Sequence, residues 1–153
     1  MKKRLIAIVY DNECDAETAE MTEAVLADMG YDVVTYHLDE EKTIESVYAG
    51  WSSVPHLIIT LNHAGFSYRS SGDNAVYATL DVNTIHYINR DVEGEERLLS
   101  GLITITEMFI TDSEERKKRI ESSYRRIHDV RVSAHFSAEI GEIVDKLDWR
   151  QEL

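Results

Sequence analysis

Two continuous apolar runs, Leu5-Ile-Ala-Ile-Val9 and His56-Leu-Ile-Ile-Thr-Leu61, each end in a polar loop. Neither run alternates apolar with polar residues, so neither has a face suited to water. Strands buried on both faces belong to parallel sheets covered by helices on each side. That requirement narrows the chain to an α/β architecture before any other residue is considered.

The rest of the sequence supplies the pieces. A helix is predicted over 17–29, with Met21, Ala24, Val25 and Met29 on one face and Gly30 as its stop. A second strand covers 32–38. A short helix over 40–51 carries Ile44, Val47, Tyr48 and Trp51, and Ser52, Ser53 and Pro55 end it. A long polar stretch, 62–83, precedes a fourth strand at 84–88. A brief helix at 95–99 and a fifth strand at 102–106 follow. Thr111-Asp-Ser-Glu114 fits a capping box for a helix to about residue 128, with Ile120, Tyr124 and Ile127 facing inward. Val130, Val132, Ala134 and Phe136 alternate with polar residues, as a half-exposed strand or an extended connector would. Ser137 then caps a last helix bearing Ile140, Ile143, Val144 and Leu147. Strands alternating with helices need right-handed crossovers. The expected fold is a flavodoxin-like three-layer α/β sandwich around a five-stranded parallel sheet of order 2-1-3-4-5.

Composition agrees with one domain over residues 1–153. Hydrophobic residues make up 43% and charged residues 29%, and a single proline gives no sign of a linker. Cys14 is the only cysteine, which excludes an intramolecular disulfide and a thiolate zinc site. An acidic loop is also a poor setting for a nucleophilic thiolate. The basic start, Met1-Lys2-Lys3-Arg4, leads into too short an apolar run for a signal or a membrane span, so a soluble protein of the reducing cytoplasm is expected. The formal charge of −13 opposes binding to nucleic acid or to an anionic membrane.

In sheets of this kind, ligands bind beyond the carboxyl ends of the strands, where the winding reverses. For order 2-1-3-4-5 that point lies between strands one and three. It receives Tyr10, Asp11 and Asn12 from one loop and Asn62, His63, Ala64 and Gly65 from the other. Strand four adds Asn89 and Arg90 at the rim, and strand five adds Thr106 and Glu107. Asp11, Asn12, Asn62 and His63 are the ligand-binding candidates. Asp11 could equally hold loop amides and Asn62 could cap its turn, since Asp and Asn do both routinely. The segment after them, Ala64-Gly-Phe-Ser-Tyr-Arg-Ser-Ser-Gly-Asp-Asn74, is unusually long for a loop inside a compact domain. Its Ser67, Arg69, Ser71, Asp73 and Asn74 could hold a phosphate or a sugar, or serve only as turn residues. Nucleotide-binding and nucleophile-elbow motifs are absent, and no second histidine stands at metal-ligand spacing. No metal and no particular cofactor is therefore expected. Arg116, Lys117, Lys118, Arg119, Arg125, Arg126 and Arg131 are seven of the sixteen basic residues, interleaved with Glu121 behind Glu114 and Glu115. A solvated, ion-paired helix face usually results from such a pattern.

The stretches Pro55-His-Leu-Ile-Ile-Thr-Leu-Asn62 and Leu5 to Asp11 resemble the third and first strands of response-regulator receiver domains. The position of the phosphoacceptor aspartate holds Leu61 or Asn62, and Thr106-Glu107 stands where Lys-Pro is expected. The stretch His56 to Phe66, with Thr84-Ile-His-Tyr-Ile-Asn-Arg-Asp91, is similar over about 40 residues to the N-terminal half of bacterial GT-B-type glycosyltransferase-like proteins. That resemblance implies a Rossmann-like scaffold and an acceptor-side cleft, not the activity. The first functional reading is a domain that binds a small polar or phosphorylated metabolite without chemistry of its own. The second is a small hydrolase, lyase or transferase using Asp11 or His63 as base. The third is a homodimer in which the basic helix meets an acidic face.

Overall fold

The structure is a computed structural model and describes residues 4–39, 47, 50–51, 54–62, 64, 82–91, 107–123 and 129–147. Strand β1 (Leu5–Tyr10) pairs in parallel with β2 (Asp32–His37) on one side and β3 (Leu57–Leu61) on the other, so Ala7 stands opposite Val34 and opposite Ile58. Beyond β3 lie β4 (Asn83–Ile88), β5 (Glu107–Thr111) and β6 (Val130–Val132), all parallel. The order β2-β1-β3-β4-β5-β6 is the flavodoxin-like one with a sixth strand at the edge.

Period-two alternation sorts the strand residues into two cores. Ile6, Ile8, Leu57, Ile59, Ile85, Met108 and Ile110 point to one face and meet Ala19 and Leu26 of α1 (Ala16–Asp28) and Ile140 and Val144 of α3 (Phe136–Asp145). Ala7, Val9, Ile58, Ile88 and Phe109 point to the other and meet Ile120 of α2 (Glu114–Ser123). These apolar side chains are almost wholly shielded, which explains why both runs lack a polar face. Helix α1 ends where Gly30 takes a φ of 98°, and Tyr31 N–H closes back on the Leu26 carbonyl. No helix among the described residues is long and apolar enough to cross a membrane.

Three expectations change. The strand beside β4 is Glu107–Thr111, while the expected strand at 102–106 lies outside the described residues. Leu-Ile-Thr-Ile-Thr and Glu-Met-Phe-Ile-Thr are adjacent and alike in pattern, and it is the second that pairs with β4, with Met108 opposite Ile85. Thr111 therefore ends a strand instead of capping a helix. The cap is Ser113, whose Oγ accepts from Arg116 N–H at 3.2 Å. The sheet also has six strands, not five, because Val130–Val132 joins the edge of β5, with Phe109 opposite Val130. The segment expected to form a brief helix at 95–99 lies outside the described residues. Of the helix expected at 40–51, Val47 is buried and the Trp51 indole donates to Tyr36 Oη at 3.0 Å.

Candidate functional site

The carboxyl ends of β1, β3 and β4 meet in a polar cluster that begins with a turn. Asn12 follows β1, and its Oδ1 accepts from Cys14 N–H at 2.9 Å, starting a 3-10 turn over Glu13–Asp15. The turn swings the Asp15 side chain inward, where it is 4% exposed. At the end of β3, Asn62 takes a φ of 51°, a left-handed conformation that asparagine tolerates better than most residues. Its N–H donates to the Tyr87 carbonyl at 2.7 Å, and the backbone then turns its carboxamide toward Asp15 and Asn89.

That carboxamide joins three strand ends. Asn62 Nδ2 donates to Asp15 Oδ1 at 2.9 Å and to Asn89 Oδ1 at 2.8 Å, while Asn62 Oδ1 accepts from Asn89 N–H at 2.9 Å. Arg90 Nη2 donates to the second oxygen of Asp15 at 2.8 Å. Both oxygens of Asp15 and both ends of the Asn62 amide are therefore engaged. Arg90 Nη1 is buried and meets no acceptor among the described residues, although the side chain as a whole is 32% exposed. Burial pushes the Asp15 carboxyl above the ordinary carboxylate range, and the Arg90 guanidinium and the Asn62 amide pull it back only in part. Burial likewise raises the Tyr87 hydroxyl, partly offset by a hydrogen bond with Asn89, and its ring stacks on Phe136 at 3.9 Å.

A second group of ion pairs braces the β4 end from α2. Arg116 donates to Asp91 at 2.8 Å, to Asp112 at 3.0 Å and to the Asn89 carbonyl at 3.4 Å. Arg119 also pairs with Asp91, and together these guanidinium groups, Arg119 first, hold the Asp91 carboxyl below its ordinary range. The two arginines at the start of the basic stretch thus face acids of their own chain.

The residues expected at the crevice separate accordingly. Asn62 lies at its centre, with Asn89 and Arg90 beside it. Asn12 is exposed, and its side chain is used in the turn. Asp11 is half-buried at the exit of β1. His63, Ser67, Arg69, Ser71, Asp73 and Asn74 lie outside the described residues. Glu107 opens β5 and so does not belong to its carboxyl end, where Asp112 and Ser113 stand instead. Asp15 was not anticipated, because the acidic stretch around it reads as a solvated loop. The available signal was Asn12, a residue that starts turns and places the side chain three positions later under the sheet edge. His86, in β4, is fully buried, lies 3.2 Å from the Thr60 hydroxyl and stacks on Phe109, so it belongs to the core. Among the described residues no three His, Cys, Asp or Glu side chains form a group that could hold a metal ion.

No family model matches this chain, and no curated protein matches it. Among solved structures it is similar to a fusion of a yeast Spc42 trimeric coiled-coil segment to another structure, with 18% identity over 82% of this chain and 81% of that one and a TM-score of 0.48. At that level the likeness bears on neither fold nor function.

Proposed function

We propose that this chain is a small-molecule-binding or regulatory domain whose ligand sits in the crevice between the carboxyl ends of β1 and β3. The observation that carries this reading is the linked cluster Asp15–Asn62–Asn89–Arg90 at the reversal of winding. Its hydrogen bonds join carboxylate, carboxamide and guanidinium groups, a set suited to holding a polar ligand. Asn62 and Asp15 are saturated by each other and by their neighbours, so they fix the floor. Direct contact falls first to Arg90, whose Nη1 has no acceptor among the described residues, with Asp11 at the exit of β1 as the second candidate. The expected ligand is a small polar or phosphorylated metabolite of the cytoplasm. The charge-driven dimer has less support, because Arg116 and Arg119 are already paired within the chain.

The test is a thermal-shift screen of the full chain against nucleotides, sugar phosphates and central metabolites. A ligand of the crevice raises the midpoint in the wild type and does so less in both Asp11→Ala and Asn62→Gly. Shifts of equal size in all three proteins would remove the site from the crevice.

A further inference from the structure

We infer that the ligand presents an anionic group, a carboxylate or a phosphate, to Arg90; this rests on the binding reading above and narrows it. The argument is a balance of donors and acceptors at the crevice floor. Asp15 uses both oxygens, on Asn62 and Arg90, and the side-chain oxygens of Asn62 and Asn89 each accept a hydrogen bond. What is left over is a donor: Nη1 of Arg90, buried and without an acceptor among the described residues. A buried donor left without an acceptor is unfavourable, more so when the group is charged, so an incoming acceptor is rewarded there.

A guanidinium offers a planar fork of N–H groups that matches the paired oxygens of a carboxylate or phosphate, whereas a single hydroxyl fills one arm of it. The fork is anchored at one arm. Nη2 is fixed on Asp15 at 2.8 Å, and the neighbouring Asn89 is bonded to Asn62 through both its backbone and its side chain. The exposed third of Arg90 is the side from which an anion arrives. Binding then turns the guanidinium enough to bring Nη1 to it. The chain's net charge of −13 repels anions at long range, but that repulsion is screened beyond about 8 Å at physiological ionic strength, while the fork acts at contact.

The experiment titrates the isotopically labelled full chain with inorganic phosphate, malonate, ribose and glucose at constant ionic strength. Amide signals of Asn62 and Asn89 and the Arg90 side-chain signal are followed. The expected result is a saturable shift with phosphate or malonate, weakened about ten-fold in Arg90→Lys, which keeps the charge and loses the fork. The double variant Asp15→Asn/Arg90→Gln leaves no buried charge alone and is expected to fold and to lose the response. Phosphate against malonate separates the two anion types. No saturable shift with either anion, or shifts unchanged in both variants, overturns the inference. Saturation by ribose or glucose in place of the anions also overturns it but leaves the crevice as a binding site. Silence of all four probes, together with an empty metabolite screen, removes the binding reading as well.

Discussion

At position 62 the backbone requires a left-handed φ while the side chain must donate and accept within one plane. Asparagine supplies both, and its φ of 51° aims three side-chain hydrogen bonds at Asp15 and Asn89. Asn62→Ala removes those bonds and puts a Cβ-bearing residue less suited to the left-handed region there. Loss of stability of about 3 kcal/mol is expected, since each buried partner left unpaired costs roughly 1–3 kcal/mol and the relaxed site recovers part of it. Asn62→Gly loses the same bonds without the backbone penalty, so urea unfolding should find it about 1 kcal/mol more stable than the alanine variant. Equal midpoints would mean the conformation is not strained. Asp15 gives a pH-dependent counterpart. Its folded pKa is raised, so the native state holds the proton more tightly than the unfolded chain does. Its contribution is therefore fully present below the unfolded value and is lost as pH rises through the folded one. Asp91, whose pKa is lowered, contributes with the opposite slope, but it is common to wild type and Asp15→Asn. The stability of wild type minus that of Asp15→Asn should fall as pH rises out of the ordinary carboxylate range and then level off. Denaturant unfolding across that range checks it, and a difference that grows with pH contradicts the assignment.

Helices α1 and α3 lie on the same face of the sheet and touch where Gly141 faces Met29 and Val25. A Cβ added at Gly141 would come within 2.5 Å of Met29 Sδ and 3.2 Å of Val25 Cγ1. Two effects then oppose each other. Alanine improves helix propensity over glycine by about 1 kcal/mol. The methyl must displace Met29, whose flexible side chain is 43% exposed and can swing into water, and it crowds the stiffer Val25. Gly141→Ala should stay within about 1 kcal/mol of wild type, because the propensity gain offsets the crowding. Gly141→Val adds two more methyl groups against Val25 and should lose roughly 2–3 kcal/mol by overpacking. Thermal unfolding of the pair separates these terms, and an alanine variant as unstable as the valine one would show that Met29 cannot move. The same elements show what the sequence makes legible. The bounds of Leu5–Tyr10, Leu57–Leu61 and α1 could be read within a residue or two, because burial on both faces and the Gly30 stop leave direct marks in composition, but the inward face of α1 was misread: Met21 and Met29 are exposed, and Ala19, Thr22 and Leu26 are the buried residues. The strand at 107–111 could not be read, since its place depends on a partner 23 positions away, Ile85 opposite Met108. Asn62, Asn89 and Arg90 were legible at the crevice because topology alone delivers strand ends there. Asp15 was not, because it arrives by a local turn whose consequence appears only once the chain is closed over β3.

For the whole molecule the governing quantity is a charge of −13 on a single sheet sandwich, from 29 acidic and 16 basic residues. Two electrostatic effects act on stability with opposite responses to salt. The ion pairs Arg116–Asp91, Arg116–Asp112 and Arg131–Asp129 lie at 2.8 to 3.0 Å, and each contributes little because one or both partners are solvated. The repulsion among the uncompensated acids acts over the dimensions of the fold, whose radius of gyration is about 15 Å for this length. The Debye length shrinks from about 30 Å at 0.01 M salt to about 8 Å at 0.15 M. That interval removes most of the long-range repulsion and hardly touches pairs in contact. Added sodium chloride is therefore expected to stabilise the protein over this range. At this size 1 kcal/mol moves Tm by roughly 2–4 °C, so a rise of a few degrees is the expected scale, flattening once the Debye length falls below the spacing of the surface acids. Differential scanning calorimetry at neutral pH measures it directly. A Tm that falls across the same interval would mean that the pairs bracing β4 and α2 outweigh the net charge, and Asp91→Asn would then remove most of the salt dependence.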